Sequence, residues 1–153
     1  MSETVLFLLM LLTHIIEDFH LQGRMADMKQ KAWWYHSIQD AVIDTERRAG
    51  RTTDVQDPSF KSFVDMRMEQ YGKDYIPILI LHGFEWVICV SIPVLIYTGF
   101  ELSTGYLVMM TVMAFVHAYV DHMKCNKLVF NLVEDQAIHI AQVVVLWAIA
   151  LVI

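Results

Sequence analysis

Four long apolar stretches dominate the pattern of hydrophobic and polar positions along the chain. A helix needs about 17 to 25 mainly apolar residues to cross a bilayer, and inside lipid the backbone is satisfied only in helices or closed barrels. Continuous apolar character over such lengths favours helices over strands. We predict an all-α fold: one membrane domain, residues 1–153, with a four-helix bundle whose spans run over about Glu3–Gln22, Tyr75–Phe100, Leu102–His122 and Asp135–Ile153.

The one extended polar region, residues 23–74, separates the first two apolar stretches. Apolar residues recur near helical spacing from Ala26 to Arg48, which predicts an amphipathic helix lying on the membrane surface. Residues 50–58 are rich in turn formers, and a second short helix is predicted over Ser59–Tyr71. The polar region is therefore interpreted as a helical insertion between spans one and two.

Charge and composition give the expected orientation. Hydrophobic residues make up 56% of the chain and the mean hydropathy is +0.44, whereas the formal net charge of -6 leaves no basic surface for nucleic acid. Nine of the eleven lysines and arginines fall in residues 23–74, and the other two, Lys124 and Lys127, fall between spans three and four. The positive-inside rule then predicts that loops 23–74 and 123–134 are cytoplasmic and that both termini lie outside.

Each predicted span carries a histidine and a carboxylate three or four residues apart, so that both lie on one helix face. Because the spans alternate in direction, all four pairs are expected within about two helical turns of the cytoplasmic surface. An ionisable group inside a span costs about 2.5 to 3.5 kcal/mol on insertion scales. This cost should be offset by contacts between the histidines and carboxylates of the four pairs. The pairs are His14 and Asp18, His82 and Glu85, His117 and Asp121, and Asp135 and His139.

Imidazole and carboxylate together indicate a divalent metal site. Helix bundles build such sites from inward-facing Glu and His at these spacings, and the donor set suits zinc first, with manganese or iron as alternatives. Four histidines and four carboxylates are enough for one or two ions, and some could instead orient the ligating imidazoles. The predicted metal ligands are His14, Asp18, His82, Glu85, His117, Asp121 and His139.

Other polar and aromatic residues near the cluster receive separate interpretations. Asp135 is expected either to ligate the ion or to act as general base. Gln22 is a second catalytic candidate, expected to hydrogen-bond the substrate or a ligand. A role at the helix end is the alternative for Gln22. Simpler roles are predicted for five residues: interfacial polar groups for Glu17, His20 and His122, a topology-setting charge for Lys124, and packing for Trp86.

Four motifs carry a family resemblance: His14-Ile-Ile-Glu-Asp18-Phe-His-Leu-Gln22, Leu81-His82, His117-Ala-Tyr-Val-Asp121-His-Met-Lys124 and Asp135-Gln136-Ala-Ile-His139. In order and spacing the chain resembles an uncharacterised family of small bacterial and phage polytopic membrane proteins. It is similar, more loosely, to inner-membrane metal-dependent hydrolases, which also carry His-x-x-x-Asp motifs. Glu85 and residues 23–74 depart from the family pattern. The resemblance implies a location in the bacterial inner membrane and a polar cluster within the spans, and it names no substrate.

The function predicted from these residues is a membrane-embedded metal-dependent hydrolase acting at the cytoplasmic leaflet. A zinc-type ion activates water and polarises a carbonyl or phosphoryl group, and the expected substrate is a lipid, a lipid-linked metabolite or a membrane peptide. The alternative is a non-enzymatic membrane protein in which the polar pairs fix helix packing. That alternative includes an ion or proton carrier and a phage or host factor that binds a host membrane protein through residues 23–74.

Overall fold

The computed structural model describes residues 1–152, and within that range it is all-helical, as predicted. A π-helical turn, Glu17–Leu21, continues the first helix. The predicted end of the fourth span at Ile153 lies outside the described residues. The α-helices are α1 (Glu3–Ile16), α2 (Met25–Met28), α3 (Lys31–Arg48), α4 (Pro58–Tyr71), α5 (Tyr75–Tyr97), α6 (Thr104–Cys125) and α7 (Leu132–Ala150).

Four of these helices are long and apolar enough to cross a membrane: α1 with its π-turn, α5, α6 and α7. This supports the predicted membrane-embedded bundle. Around the bundle α1 packs on α5, α5 on α6, α6 on α7 and α7 on α1. Neighbours run antiparallel, as shown by the Trp147 indole near the end of α7, which donates to the Glu3 carbonyl oxygen at the start of α1 (3.1 Å). Helices α1 and α6 therefore end where α5 and α7 begin, and we name this the site end of the bundle.

An apolar core fills the half of the bundle away from the site end. It includes Leu6 and Met10 of α1, Val90 of α5 and Leu146 of α7, all fully buried. Lipid tails are as apolar as these side chains, so close packing rather than exclusion from water holds such helices together. The tightest approach is at Gly83 of α5, where an added Cβ would lie 2.2 Å from the Ala114 carbonyl oxygen of α6.

The turn between α5 and α6 covers residues 98–103, so the bounds of both spans differ from the predicted ones. Helix α5 ends at Tyr97 rather than Phe100, because Gly99 and Phe100 both adopt left-handed backbone angles, with φ of 70° and 69°. Helix α6 then begins at Thr104, where the Ser103 hydroxyl accepts the Tyr106 N–H. The third span thus covers 104–125 instead of the predicted 102–122.

Helix α7 begins at Leu132, three residues before the predicted start at Asp135. Asn131 and Glu134 form a capping box: the Asn131 side chain accepts N–H bonds of the first turn, and the Glu134 carboxylate accepts the Asn131 N–H. Asp135 consequently lies inside the helix, where its side chain faces the bundle and is fully buried. The predicted start was wrong because the polar cap residues were read as part of the loop.

The insertion contains three helices rather than the two predicted. Gln30 adopts an extended conformation (φ -97°, ψ 126°) and divides the predicted 26–48 helix into α2 and α3. Helix α4 agrees with the predicted 59–71 helix apart from its first residue, Pro58, which follows the capping Asp57. Helices α3 and α4 pack on each other as a hairpin, and α2 packs on α5. Short α2 is therefore the part of the insertion that meets the bundle.

Candidate metal centre

The histidines and carboxylates of the four long helices come together at the site end. Most of them are almost completely hidden, with exposed fractions of 0–1% for His14, Glu17, His82, His117, Asp121, Asp135 and His139. Glu85 and Asp18 are partly buried beside them. We name this set of nine residues the polar cluster. Its members come from all four helices, so that the chain must be fully folded before the cluster exists.

The orientation of the His139 ring is fixed by Gln142, one helical turn further along α7. The Gln142 side-chain amide donates to the Met113 carbonyl oxygen (3.1 Å), which turns its own oxygen toward His139 Nδ1 at 3.0 Å. His139 Nδ1 must therefore donate, and in the neutral ring the lone pair lies on Nε2. That Nε2 atom faces two carboxylate oxygens, Asp121 Oδ1 and Asp135 Oδ1, both at 3.3 Å.

A lone pair facing two carboxylates requires a cation, either a proton on the nitrogen or a metal ion between the groups. Charge-assisted N–H···O bonds are about 2.7 to 2.9 Å long, shorter than the 3.3 Å found at His139. Around tetrahedral zinc with bonds of about 2.0 to 2.1 Å, neighbouring ligand atoms lie about 3.3 Å apart. The spacing at His139 fits the edge of a metal coordination shell.

His82 and His117 continue this arrangement toward α5. Their Nε2 atoms lie 3.2 Å apart, and His82 Nε2 is 3.3 Å from Asp121 Oδ2. The His117 ring stacks on Trp86 (centroids 4.4 Å apart) and on His139 (4.0 Å), which restricts its rotation. Both Nε2 atoms thus lie near the same oxygen, Asp121 Oδ2, which is 3.9 Å from His117 Nε2.

Three overlapping groups of residues offer ligand atoms that lie within 4.8 Å of one another around this centre. Because they share His117, Asp18 and His139, they describe one region that can hold one ion or two close ions. The residues present fit a divalent metal in number, donor type and spacing. The groups are Asp18, His82 and His117; His117, Asp121 and His139; and Asp18, Asp135 and His139.

His14 was predicted as a ligand, but the structure places it beside these groups and not within any of them. Its Nδ1 accepts a hydrogen bond from the Trp86 indole N–H at 2.9 Å. Because indole N–H only donates, a neutral His14 carries its proton on Nε2 and keeps no lone pair for a metal. The prediction for Trp86 is also incomplete: it packs in the core and in addition sets the tautomer of His14.

Two lysines partly neutralise the cluster. Lys29 of the insertion reaches Asp121 Oδ2 (2.6 Å), and Lys124 reaches Asp135 Oδ2 (2.5 Å). Burial alone would lower the pKa of Lys29, but the pairing with Asp121 outweighs it and the pKa lies above its ordinary value. Lys124, interpreted from sequence as a topology-setting charge, therefore also contacts the site.

The polar cluster keeps an excess of negative charge after these pairings. Its five carboxylates are Glu17, Asp18, Glu85, Asp121 and Asp135, and two ammonium groups lie against them, which leaves three negative charges when all are ionised. Uncompensated charge in a buried site is costly. The electrostatics of the cluster therefore favour additional cations.

Gln22, a predicted catalytic residue, instead supports Asp18. Its side-chain amide donates to the Asp18 carbonyl oxygen (2.6 Å) and to Oδ1 of the same residue. Gln136 of α7 donates to the other carboxylate oxygen, Oδ2. Asp18 is thus held from both sides, and the amide of Gln22 is already engaged.

Comparisons with protein-family models, curated proteins and solved structures found no match. The family resemblance seen in the motifs stays a prediction. The chemistry of the site is therefore argued from its own donors, distances and charges.

Sequence reasoning missed Glu17 and Lys29. Glu17 was interpreted as an interfacial group, yet it is fully buried and its Oε1 lies 3.2 Å from His82 Nδ1; its position three residues after His14 was the available clue. The other two residues interpreted as interfacial, His20 and His122, are exposed and partly buried, respectively. No sequence pattern indicated that Lys29 contacts the site, because it lies in a segment whose pattern resembles a solvated helix.

Proposed function

We propose that this chain is a metal-dependent hydrolase of the bacterial inner membrane, with a divalent ion held at the site end of its bundle. The observation that carries the proposal is the arrangement at His139, whose Nε2 lone pair is fixed by Gln142 and aimed at two carboxylate oxygens 3.3 Å away. A protonated His139 could donate to these oxygens, but charge-assisted bonds of that kind are shorter, at about 2.7 to 2.9 Å.

The residues best placed to hold the ion are His117, Asp121 and His139, with His82 and Asp18 beside them. Zinc suits mixed imidazole and carboxylate donors at these spacings, and manganese or iron are the alternatives. His14 acts as a neutral N–H donor at the edge of the cluster. This ligand set is smaller than the one predicted from sequence.

The chemistry that an ion held here would supply is polarisation of a carbonyl or phosphoryl group of the substrate and activation of a water molecule. Asp135 is the proposed general base, since its Oδ1 atom is buried and makes no hydrogen bond, while Lys124 holds the other oxygen. Lys29 is buried against Asp121 and holds its Oδ2 atom at 2.6 Å. These roles agree with the predicted hydrolytic reaction class.

The proposed location is the cytoplasmic leaflet. Both links at the site end, residues 23–74 and 123–134, hold all eleven lysines and arginines of the chain, and positive loops stay in the cytoplasm. Phe19 and Leu21, at the same end, expose about half of their side-chain surface (55% and 54%) toward the outside of the bundle. A lipid, a lipid-linked metabolite or a membrane peptide is the corresponding substrate class.

Elemental mass spectrometry on detergent-purified protein without a histidine tag tests the proposal. Wild type is expected to contain at least one ion per chain, and His139→Ala should contain one ion fewer than wild type while remaining helical by circular dichroism. His36→Ala is the matched control, because His36 is an exposed histidine on α3. Folded wild-type protein that takes up no zinc, manganese or iron would rule the proposal out.

One observation favours the non-enzymatic alternative. Lys29 and Lys124 already pair with Asp121 and Asp135, and buried polar pairs of this kind also fix helix packing. In that case residues 23–74 would form the contact surface for a host membrane protein. Mutations in the exposed α3–α4 hairpin would then impair function more than substitution of His139.

A further inference from the structure

A second group of buried donors lies next to the metal centre, between α1 and α5. Glu17, His82 and Glu85 each offer one ligand atom, and the three atoms lie within 4.8 Å of one another. Glu17 and His82 are completely buried. His82 is the only one of the three that also belongs to a group of the metal centre, the one with Asp18 and His117.

The polar atoms of this second group lack partners. Both carboxylate oxygens of Glu17, Oε2 of Glu85 and Nδ1 of His82 are buried without a hydrogen bond. Among residues 1–152, Lys29 and Lys124 pair with Asp121 and Asp135, and neither Glu17 nor Glu85 has an ion pair with a lysine or arginine. A buried carboxylate without a partner carries a large desolvation cost, which a bound cation or a proton shared by the two carboxyl groups would relieve.

The two ring nitrogens of His82 face different groups. Nε2 points to His117 and Asp121, whereas Nδ1 lies 3.2 Å from Glu17 Oε1 without hydrogen-bond geometry. The separation is again close to the about 3.3 Å between neighbouring ligands of a tetrahedral ion. One imidazole therefore stands between two separate sets of carboxylates.

Two consecutive acids at the start of the π-turn, Glu17 and Asp18, serve the two groups. They lie three and four residues after His14, so that both fall near the helix face that carries His14. Glu17 then faces the second group and Asp18 faces the metal centre. Single π-turns inside helices are frequent at functional sites.

We propose that Glu17, His82 and Glu85 form a second divalent-cation site, so that the protein binds two ions with His82 between them. Two carboxylates and one imidazole are a donor set suited to manganese, iron or zinc. The second ion would also reduce the negative charge left in the polar cluster. The inference goes beyond the proposed hydrolysis, because it requires only that ions bind.

The test is the number of ions per chain, measured by elemental mass spectrometry after loading tag-free protein with Zn²⁺ and, separately, with Mn²⁺. Wild type should bind two, and Glu17→Gln and His139→Ala should each bind one. The double variant should bind none. Glu101→Gln, at the opposite end of the bundle and exposed, is the control and should bind two.

The outcomes separate this inference from the proposed function. One ion in wild type that is lost in His139→Ala but kept in Glu17→Gln would overturn the second site and leave the proposed function standing. One ion in wild type that is lost in Glu17→Gln but kept in His139→Ala would support the second site and overturn the proposed function. Glu85→Gln, at a partly exposed position, provides the same measurement if Glu17→Gln fails to fold.

Infrared spectroscopy supplies an independent readout. If Glu17 and Glu85 share a proton instead of an ion, wild type shows a protonated carboxyl C=O band that disappears in Glu17→Gln, and this result would overturn the second site. In the Mn²⁺-loaded protein, a spin-coupled two-ion paramagnetic resonance spectrum that becomes a single-ion spectrum in Glu17→Gln would support it.

Discussion

The indole N–H of Trp86 donates to Nδ1 of His14, 2.9 Å away, across the interface between α1 and α5. The contact assigns His14 a fixed tautomer with the proton on Nε2. We therefore expect His14→Ala to retain the ion that His139→Ala loses. Elemental analysis of the two variants side by side checks this, and equal loss of metal in both would show that His14 is a ligand.

Removing the indole donor should release the tautomer of His14. In Trp86→Phe, Nδ1 of His14 no longer accepts a hydrogen bond, a loss worth about 1 kcal/mol. Nitrogen-15 spectra of histidine-labelled protein are expected to show one unprotonated Nδ1 at His14 in wild type and a mixture of tautomers in the variant. An unchanged His14 signal would contradict the assignment.

Gln142 is expected to act through His139. Replacing Gln142 by Leu removes the acceptor for His139 Nδ1, and loss of such outer partners typically lowers metal affinity by about 10 to 100-fold. Gln142→Glu keeps an acceptor and should restore most of the affinity. Competition with a chelator of known affinity measures both, and equal affinities for the Leu variant and wild type would exclude this role.

Lys29 should matter most when no ion is bound. Lys29→Met leaves Asp121 buried without its ammonium partner, and breaking a buried pair in this way costs about 3 to 5 kcal/mol. Thermal unfolding in detergent should show a lower midpoint than wild type in chelator, and added Zn²⁺ should raise it more than in wild type. Lys31→Met, at an exposed neighbour, is the control. A variant as stable as wild type in chelator would contradict the importance of the pair.

The close approach of α5 and α6 makes Gly83 intolerant of a side chain. An alanine Cβ would lie 2.2 Å from the Ala114 carbonyl oxygen, so the helices must separate, and overpacking of this kind costs about 1 to 3 kcal/mol. Gly105→Ala, where the nearest atom would be 3.8 Å away, should unfold like wild type. Unfolding midpoints of the two variants test the prediction, and a stable Gly83→Ala protein would disprove the close contact.

The cap of α4 should give a local dependence on pH. Asp57 accepts the N–H and hydroxyl of Ser59, and these hydrogen bonds lower its pKa below the ordinary value. Its contribution to α4 is therefore present above the unfolded-state pKa and disappears as pH falls through the lower folded-state pKa. Amide exchange in α4 should be faster in Asp57→Ala than in wild type at neutral pH, with the difference vanishing in acid. A difference independent of pH would show that the carboxylate is not the cap.

The architecture could be predicted because its determinants are local. Apolar length identified four spans, and the positions of His82, His117 and His139 along them indicated a common depth. The helix ends were less predictable, because the left-handed Phe100 and the Asn131 cap depend on side-chain hydrogen bonds and backbone angles that hydropathy does not report.

The details of the site depend on contacts between distant residues. Nothing near His14 in the sequence indicates that Trp86, 72 positions away, fixes its tautomer. Lys29 lies 92 positions from Asp121, so its role could not be inferred from either helix. Glu17 was misjudged because its position near the predicted end of span one suggested an interfacial group, although its spacing from His14 places it on the same helix face.

The segment between α2 and α3 acts as a short tether between the part of the chain outside the bundle and the cluster inside it. The Lys29 side chain pairs with Asp121, its carbonyl oxygen accepts from the Asn126 amide (3.0 Å), and the Lys31 N–H donates to Asn126 Oδ1 (2.6 Å). A molecule that displaces this tether must break the Lys29 pair and so alter how tightly Asp121 holds a cation. By thermodynamic reciprocity, a cation that captures Asp121 would loosen the tether and change how the α3–α4 hairpin is presented.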